Sequence, residues 1–382
     1  RGEIMIETKS MKQPFSLKLS SSLFVVIWCL IASFPIIWIA VMSIKLPIDA
    51  FSSNPIAVIF GPVTSNQRYS LSFQELFFCT LFAILFFKFR EQLYTFYSQF
   101  IKFSYSVNIT FFYIFSIIIF YFAFKAFNYF IPVIDVLNIK ILGYTFEHYQ
   151  TVWIERGFSN YFKNSVIVTF GVVVVSLTFG TLAGFALART SSSIAFWILV
   201  IALVFRALPH SILVAGYLPF FMNSSEILRP ILGDLAPTFF GKPYAVIAVL
   251  VAINQPFTIW LMRSFFQNIP SELDEAARID GCSHFQAFIK IIMPIMWPGV
   301  ITTGLFSFML GYNDYLVTSL LLDGQNQTMV PAISGLFNRD TSTTDQVVAV
   351  AAAVSITAPL FLLVLFFQKQ IVSGLTAGAV KG

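Results

Sequence analysis

Apolar residues occur in long runs along this chain, and the short segments between the runs carry most of its charged residues. The runs are about twenty residues long, which is the length of a helix that crosses roughly 30 Å of hydrocarbon. The ten-residue segments of alternating polarity that build membrane β-barrels are absent from the sequence. The pattern therefore predicts an all-α fold, a polytopic membrane helix bundle.

These runs predict about eight transmembrane helices. Pro209 and Gly216 lie within the fifth, and we expect them to bend it. The predicted spans cover residues 22–44, 73–89, 109–130, 165–188, 194–221, 244–262, 299–322 and 347–367.

The composition excludes several classes of protein. Of the 382 residues, 57% are hydrophobic and 11% are charged, which is typical of a membrane protein rather than a soluble domain. Cytoplasmic loops that face anionic membrane lipid explain the net charge of +5, so nucleic acid is not an expected partner. An even number of spans places both termini on one side, and the bias of Lys and Arg favours the cytoplasm.

One short segment between the sixth and seventh spans, ELDEAARIDGCSHF, concentrates six ionisable residues. It predicts two short cytoplasmic helices that meet at a corner. Ser271 is expected to cap the first helix, with Asp274 at the capping-box spacing, and Gly281 is expected to end it with a positive φ. Ser283 and Gln286 offer a second capping box at the start of the second helix.

The second predicted helix carries an apolar stripe although it lies outside the membrane. We expect Pro294 and Pro298 to end this helix before the seventh span begins. Ala276 and Ala277 would give the first helix a smooth surface for a partner protein. The alternative is a solvated loop whose acids pair with Arg278 on the same helix. The stripe has i, i+3, i+4, i+7 spacing and consists of Phe285, Phe288, Ile289 and Ile292.

This segment resembles the EAA loop of ABC importer permeases. The family pattern is E-A-A-x-x-x-G followed by an apolar stretch that ends in Pro. The sequence ELDEAARIDGCSHFQAFIKIIMP matches that pattern at Glu275, Ala276, Ala277, Gly281 and Pro294. The tail GLTAGAVKG and the segments YFKNSVIVT and LAGFALART are similar to the maltose-type carbohydrate permeases. The resemblance covers residues 144–382 and, in the first span, SFPIIWIAVMSIKLP.

Two features depart from the family pattern. Cys282 stands where the family usually has Ala, which is a small-for-small change. Permeases of this class typically have six spans, whereas residues 64–143 look like an insertion that contains two more. The expected organisation is an N-terminal cytoplasmic segment and first transmembrane helix at 1–63, an inserted transmembrane hairpin at 64–143, and a permease core at 144–382 with the EAA loop at 270–294.

The resemblance implies the transmembrane permease subunit of an ATP-driven ABC importer for a sugar or related solute, in the cytoplasmic (inner) membrane of a bacterium or archaeon. Its implied partners, besides membrane lipid, are separate ATPase subunits, a second related permease subunit and an extracytoplasmic solute-binding protein. ATP and Mg would be bound by the ATPase, so the chain itself needs no cofactor. The residues implied in ATPase docking are Glu275, Ala276, Ala277, Asp280, Gly281, Phe285 and Pro294.

The sequence also favours a chain that is not an enzyme. A phosphate-binding loop needs G-x-x-x-x-G-K-[ST], and the nearest segment, Gly241-Lys242 followed by Pro243, has the wrong spacing. The three histidines share no zinc-ligand spacing, and no nucleophile motif of the G-x-S-x-G kind occurs. Neither catalytic residues nor a metal site are therefore expected.

Polar residues within the predicted spans are candidates for a solute pathway, because such groups at membrane depth usually face a cavity or a partner. The alternative is that they bridge helices or, for Arg206, reach the membrane interface. The pathway candidates are Arg206, Asn254, Gln255, Asn313 and Asp314.

Two other classes of function stay open on the sequence alone. An ion-coupled secondary transporter or channel that works without partners would need acid or His relays in several spans, and Asp314 alone comes close. A membrane scaffold without transport activity would have no use for a capped, rigid EAA loop. Recovery of the chain with an ATPase and a second permease would separate these functions.

Overall fold

Two compact units make up the described part of the chain. The computed structural model describes residues 15–100, 105–130, 139–190, 192–208, 210–337 and 342–379. Within these ranges, the first unit is drawn from Arg1–His148 and Ser342–Ala351, and the second from Tyr149–Thr341 and Ala352–Gly382.

The first unit opens with a long apolar helix, α1 (Phe15–Ser43), which contains Pro35. Three short helices follow, and each has Pro at its first position, where a backbone N–H is not needed for a helical hydrogen bond. They are α2 (Pro47–Ala50), α3 (Pro55–Phe60) and α4 (Pro62–Gln67).

Two long helices of the first unit are flanked in the chain by two strands that pair as an antiparallel sheet. Tyr69 lies opposite Tyr144 across the sheet. The two helices pack through aromatic rings, and the ring centroids of Phe78 and Phe127 are 4.3 Å apart. In chain order these elements are β1 (Tyr69–Ser72), α5 (Phe73–Phe100), α6 (Tyr105–Phe130) and β2 (Lys140–Tyr144).

Buried polar groups tie the end of α1 to the short elements that follow. Lys45 is fully buried and donates a hydrogen bond to the carbonyl of Gly143. Asp49 accepts from the Thr64 backbone N–H at 2.6 Å and from its hydroxyl at 2.7 Å, and so caps α4. His148 Nε2 donates to the Lys45 carbonyl at 2.9 Å. Burial lowers the pKa of His148, and it lowers the pKa of Lys45 to about 8.

The second unit is a helix bundle. Helix α7 (Glu147–Gln150) and a π-helix at Thr151–Glu155 precede it in the chain, and a short 3₁₀ turn occurs at Gly233–Leu235. The remaining α-helices are α8 (Phe158–Arg189), α9 (Ser193–Arg206), α10 (His210–Met222), α11 (Ser224–Leu232), α12 (Pro243–Gln267), α13 (Glu272–Ile279), α14 (His284–Ala287), α15 (Met293–Asn313), α16 (Leu316–Leu321), α17 (Met329–Phe337) and α18 (Thr343–Ala379).

Helices α8 and α12 pack closely because glycines lie where they meet. A Cβ atom at Gly180 would lie 2.4 Å from Thr258 Cγ2, and one at Gly184 would lie 2.7 Å from Met262 Cβ. Small residues at such contacts let backbones approach, which is how helices associate in lipid. Larger residues at either glycine would force α8 and α12 apart.

Two apolar clusters fill this bundle. Both include residues from α12, so this helix is central to the packing of the second unit. The buried members of the first cluster are Val168, Val172, Val214, Val246, Val249, Leu250, Ile253, Val317, Leu321 and Leu322, and those of the second are Met262, Phe265, Phe266, Ile269, Phe288, Ile292, Met296 and Val300.

The segment YFKNS at the start of α8 holds a neighbouring loop in place. The side-chain amide of Asn164 donates to the carbonyls of Gln325 at 3.2 Å and Gln327 at 3.1 Å. The Ser165 hydroxyl accepts from the Met329 backbone N–H at 2.9 Å. These bonds fix the segment that leads into α17 against α8.

The predicted all-α membrane bundle is confirmed, whereas the number of spans stays a prediction. Five helices in the described ranges are long and apolar enough to cross a membrane. The described apolar part of α6 is shorter, and α5 carries Glu75, Lys88 and Arg90 within its length. The five helical segments are Leu19–Ser43, Phe158–Arg189, Pro243–Gln267, His284–Asn313 and Thr343–Gln370.

The fifth and seventh predicted spans need correction, because neither is one helix. The fifth is divided into α9 and α10, and Pro209 between them lies outside the described residues. The seventh ends at Asn313, since Asp314 adopts an extended ψ of 126°, and the helix resumes at Leu316. The break in the fifth span is next to Pro209, where the sequence predicts a bend. The break in the seventh falls at polar residues that the apolar pattern alone does not mark.

Candidate functional site

The EAA loop (residues 270–294) forms two short helices with a glycine corner, as the sequence predicts. Gly281 has a φ of +88°, and a Cβ there would meet nothing within 4 Å. Its N–H donates to the Arg278 carbonyl at 3.1 Å, and the Cys282 N–H donates to the Ala277 carbonyl at 3.0 Å. This pair of bonds is a Schellman motif, which ends α13 with a left-handed residue.

The start of α14 carries the capping box expected from the sequence. The Ser283 hydroxyl accepts from the Gln286 N–H at 3.2 Å, and the Gln286 side chain accepts from the Ser283 N–H at 2.9 Å. Hydrogen bonds thus close both sides of the corner between α13 and α14.

The predicted cap at the start of α13 is wrong. Ser271 has helical angles (φ −66°, ψ −23°), and its side chain makes no capping hydrogen bond. Its backbone carbonyl instead accepts from the N–H groups of Asp274 and Glu275. One carboxylate oxygen of Asp274, Oδ2, pairs with a cation outside the EAA loop.

Asp274 is held by Arg189, the last residue of α8. Arg189 Nε lies 2.5 Å from Asp274 Oδ2, and both side chains are about four-fifths buried. The same guanidinium donates to the backbone carbonyls of Phe266 at 3.2 Å and Ile269 at 3.1 Å, and it lies over the ring of Phe185. One side chain therefore joins the end of α8, the end of α12 and the EAA loop.

Sequence reasoning missed this role of Arg189. In the sequence, Arg189 contributes only to the general bias of Lys and Arg. The signal that could have found it is the position of an Arg at the end of LAGFALART, a segment already similar to the family. The alternative reading of the loop, in which Asp274 pairs with Arg278 in the same helix, is also wrong, because the carboxylate points to α8.

The EAA loop continues into the membrane without a break. Residues His284–Ala287 are α-helical, Phe288–Ile292 form a π-helix, and α15 follows directly at Met293. The expectation that Pro294 and Pro298 end the helix is therefore wrong. Pro294 lies in the first turn of α15, just after the π-helix, where its missing N–H is tolerated.

The apolar stripe of the loop divides into a buried and an exposed pair. Phe288 and Ile292 are buried in the second apolar cluster, and the Phe288 ring lies 4.9 Å from that of Phe185. Phe285 is 63% exposed and Ile289 is 48% exposed. The buried pair anchors the loop to the bundle, and the exposed pair is free to meet another protein.

The two alanines of the motif face in different directions. Ala277 is 1% exposed, so the expectation of a smooth two-alanine surface applies only to Ala276, which is exposed. The small side chain at Ala277 lets α13 pack against α14 and the π-helix. Ile279, which sequence reasoning did not select, is 86% exposed although apolar.

The outward surface of the EAA loop has a concave part. A cavity of about 600 Å³ is lined there by Glu275, Arg278, Ile279, Cys282, Ser283 and His284. Asp280, Gly281 and Pro294, the other candidate docking residues, are exposed. The surface combines charged side chains with the exposed apolar residues Ile279 and Phe285.

Asn254 lies deep between three helices of the bundle. It is 1% exposed, and its amide nitrogen lies 2.8 Å from Ser307 Oγ, 3.0 Å from Thr258 Oγ1 and 3.4 Å from Ser176 Oγ. These contacts bridge α8, α12 and α15. They fit the helix-bridging alternative for this residue.

Arg206 lines a cavity, and Gln255 has a buried polar atom without a hydrogen bond among the described residues. The Arg206 guanidinium lies 4.5 Å from the ring centroid of Phe257, and it lines a cavity of about 340 Å³ together with Tyr217 and Pro256. The Gln255 amide nitrogen is 3.5 Å from the Ser176 carbonyl, and its Oε1 is buried without a hydrogen-bond partner among the described residues.

Asn313 and Asp314 lie where α15 ends. Asn313 is exposed, and Asp314 is half-buried and accepts from the Thr318 N–H at 2.9 Å. Asp314 therefore satisfies a backbone N–H in the first turn of α16, which is a structural role. Within the described ranges, no group of three His, Cys, Asp or Glu side chains is arranged to hold a metal ion.

Comparison with known proteins decides the family. The family model described as binding-protein-dependent transport system inner membrane component matches residues 176–376, more than half of the chain. The chain belongs to this family. The matched residues include the EAA loop and the helices to which it is anchored.

Individual proteins similar to this chain are also permeases. The maltodextrin transport system permease protein MdxG of Bacillus subtilis is 31% identical over 242 residues, which are 63% of this chain and 82% of the relative. The diacetylchitobiose uptake system permease protein DasC of Streptomyces coelicolor is 33% identical over 240 residues, or 62% of this chain and 81% of the relative.

A solved structure shares the fold of the permease. The crystal structure of a bacterial ABC transporter involved in the import of the acidic polysaccharide alginate has a TM-score of 0.55 at 17% identity, and the match covers 92% of this chain and 95% of that chain. This likeness supports the helical membrane fold.

Family membership defines the general role of the chain. It is a multi-pass inner-membrane permease subunit of an ABC importer, and it works with a binding protein and an ATPase. The chain is a non-catalytic transport subunit, since ATP hydrolysis belongs to the separate ATPase.

Proposed function

We propose that this permease imports a sugar or related solute and that the outward surface of its EAA loop docks the ATPase. The observation that carries the docking role is the rigid attachment of the loop: capping bonds fix its corner, and Arg189 and Phe288 fix it to the bundle. A surface held in this way transmits force to the membrane helices, whereas a loose loop would not.

Glu275 and its exposed neighbours form the contact surface in this proposal. Glu275, Ala276 and Ile279 lie on one face of α13, and Phe285 follows beyond the corner. Ala276 allows close approach, Ile279 and Phe285 supply apolar contact, and Glu275 pairs with a cation of the ATPase. Asp280 and Gly281 belong to the corner, while Ala277 and Pro294 act through the packing and direction of the loop.

The partners and the orientation follow from the same role. ATP and Mg are bound by the ATPase, and a second, related permease subunit completes the pathway across the membrane. Both termini and the EAA loop lie in the cytoplasm, which the Lys and Arg bias supports. Residues 64–143 are an insertion in a six-span core, and the pairing of β1 with β2 at its base supports this division.

The solute class rests on the relatives. Those named above transport maltodextrin and diacetylchitobiose according to their descriptions, and a trehalose/maltose transport system permease protein from Thermococcus litoralis is 32% identical. In the bundle, the cavity beside Arg206 and the exposed Asn313 are the parts best placed to meet a solute. Asp314 and Gln255 line the path with them, and Asn254 supports it from within.

Co-purification tests the docking role. The chain is expressed with its second permease and its ATPase, and the ATPase recovered per permease is measured. We expect Glu275→Lys to reduce recovery about tenfold or more, as for loss of a central charged contact. Glu226→Lys, a charge reversal at another exposed acid of the second unit, is the matched control and should retain the ATPase.

Equal recovery for both variants would rule out the docking surface. A second measurement addresses the solute: uptake of labelled maltose, trehalose and chitobiose by proteoliposomes that contain the complete transporter and its binding protein. Uptake of none of these sugars, together with uptake of an amino acid or peptide, would overturn the sugar assignment while leaving the docking role intact.

A further inference from the structure

Arg206 places a positive charge deep within the second unit. Its guanidinium lies 4.5 Å from the ring centroid of Phe257. Phe257 is fourteen residues from the start of α12 and ten from its end, which is roughly 21 Å and 15 Å at helical rise. Because α12 is long enough to span the membrane, the guanidinium lies near the middle of the span and does not reach the membrane interface.

The helices around Arg206 supply no acid to neutralise this charge. Helices α9, α10 and α12 contain neither Asp nor Glu. Among the described residues, the Arg206 guanidinium has no ion pair and no hydrogen bond, and it contacts the face of the Phe257 ring. A cation at membrane depth is costly unless a group of opposite charge compensates it. We therefore expect a negative group to reach Arg206 from outside these helices.

The cavity beside Arg206 offers polar groups besides the cation. Pro256 has no N–H to donate to the carbonyl of Ala252, which is four residues earlier in α12, and both residues line the cavity. Tyr217 lines it as well and is 46% exposed. A carbonyl accepts a hydrogen bond, and a Tyr hydroxyl can donate or accept one. These groups can bind the hydroxyls of a sugar.

The depth of Arg206 favours a solute over a lipid as the source of the negative group. Lipid headgroups lie outside a hydrocarbon core of roughly 30 Å, and so about 15 Å from its middle. A solute that crosses the membrane, in contrast, must pass this depth. The guanidinium is planar and can form two parallel hydrogen bonds with a carboxylate or a phosphate.

We propose that the solute is an acidic saccharide, in which a sugar carries a carboxylate or a phosphate group, and that Arg206 binds this group in the cavity. The Ala252 carbonyl and the Tyr217 hydroxyl bind hydroxyls of the same sugar. The inference rests on the import of a sugar or related solute proposed above, and it narrows that class to anions.

Binding of three matched sugars tests the inference in the purified complex of this chain with its second permease and its ATPase. Glucose, glucuronate and glucose 6-phosphate differ only at the sixth carbon, and equilibrium dialysis of the radiolabelled sugars measures each affinity. The binding protein is left out, because its own selectivity would mask that of the permease. We expect at least one acidic sugar to bind about tenfold or more tightly than glucose, the effect of a hydrogen bond between charged groups. The tighter of the two distinguishes a carboxylate from a phosphate.

Variants assign the preference to Arg206. Arg206→Gln should reduce the affinity for the acidic sugar to that for glucose, and Arg206→Lys should retain part of the preference because Lys keeps the charge. Arg263→Gln is the matched control and should keep the full preference. The Arg263 guanidinium also lies over a ring of the same bundle, 5.2 Å from the centroid of Phe196, but it does not line the cavity. Ala252→Phe, which fills the cavity, should abolish binding of all three sugars.

Several outcomes would overturn the inference. Equal binding of glucose and the acidic sugars, or no binding of either acidic sugar, would exclude an anion site while the import of a neutral sugar stands. A preference that survives Arg206→Gln would place the anion site elsewhere. Loss of the second permease from the complex in Arg206→Gln, with the sugar preference unchanged in what remains, would show that Arg206 pairs with an acid of that subunit. Uptake of an amino acid or peptide, and of no sugar, would overturn sugar import itself and this inference with it.

Discussion

Arg189 Nε and Asp274 Oδ2 lie 2.5 Å apart, and this ion pair joins two residues that are 85 positions apart in the chain. The same guanidinium donates to two backbone carbonyls and lies over the Phe185 ring. The pair is thus the principal polar link between the EAA loop and the transmembrane helices.

Replacing Arg189 should therefore loosen the loop. We expect Arg189→Met to lower the free energy of unfolding by about 2–4 kcal/mol, because the Asp274 carboxylate stays mostly buried without its cation. Arg189→Lys should recover part of this loss, since Lys keeps the charge but cannot span the three acceptors. Thermal unfolding in detergent measures both variants, and solute uptake should fall in the same order.

An exposed ion pair provides the control for Arg189. Arg229 and Asp234 are 3.4 Å apart with side chains 73% and 96% exposed, so Arg229→Met should change stability by less than about 1 kcal/mol. If Arg189→Met and Arg229→Met shifted the unfolding temperature equally, the anchoring role of Arg189 would be wrong.

Gly281 should tolerate only residues that accept its backbone angles. No atom would obstruct a Cβ there, so the φ of +88° alone determines the cost of substitution. We expect Gly281→Val to destabilise the corner by about 1–2 kcal/mol and to reduce uptake, and Gly281→Asn to retain most of it. Gly324→Val is the control, because that glycine also has open space but no positive φ. Equal uptake by the Val and Asn variants would contradict a corner fixed by conformation.

Asn254 should matter for stability rather than for solute choice. Its amide meets hydroxyls of three helices, and we expect Asn254→Leu to cost about 1–2 kcal/mol. Asn313→Ala should leave stability unchanged and lower the uptake rate, because Asn313 is exposed at the end of α15. Comparison of unfolding temperature with uptake per folded molecule separates the two effects. Unchanged uptake by Asn313→Ala would remove that residue from the pathway.

The stability of the first unit should fall in acid because of His148. Burial lowers the pKa of His148, so below about pH 6.5 the unfolded chain takes up a proton that the folded chain does not. Stability should then fall with decreasing pH by at most about 1.4 kcal/mol per pH unit. His148→Gln keeps a donor for the Lys45 carbonyl and should flatten this dependence, measured by unfolding between pH 7.5 and 5.5.

An exposed histidine is the control for this measurement. His284→Gln should leave the acid dependence as it is in the unchanged protein, since His284 is exposed in the EAA loop. A slope that stays the same in His148→Gln would assign the acid sensitivity to other groups.

The fold class and the EAA loop could be predicted from the sequence because both depend on local patterns. Long apolar runs define helices, and the glycine corner with the Ser283 capping box depends on residues within a few positions of one another. The loop was also recognisable because its motif is long and specific. These features need no knowledge of what packs against them.

The features that escaped prediction depend on contacts between distant residues. Arg189 reaches Asp274 across 85 positions. Ser271 adopts helical angles and makes no capping bond. Whether Ala277 and Phe288 face inward depends on how the loop lies on the bundle. The π-helix at Phe288–Ile292 let the chain continue past Pro294, although proline at that position suggested an end.

The π-helix also determines the rotation of α15 about its axis relative to the EAA loop. Each residue of an α-helix turns the chain by about 100°, so adding or removing one residue between Phe288 and Ile292 would rotate the whole of Met293–Asn313 relative to the loop. The side chains that point into the bundle, such as Thr303 and Ser307, would then face lipid. The number of residues in this π-helix therefore determines which face of α15 packs into the bundle.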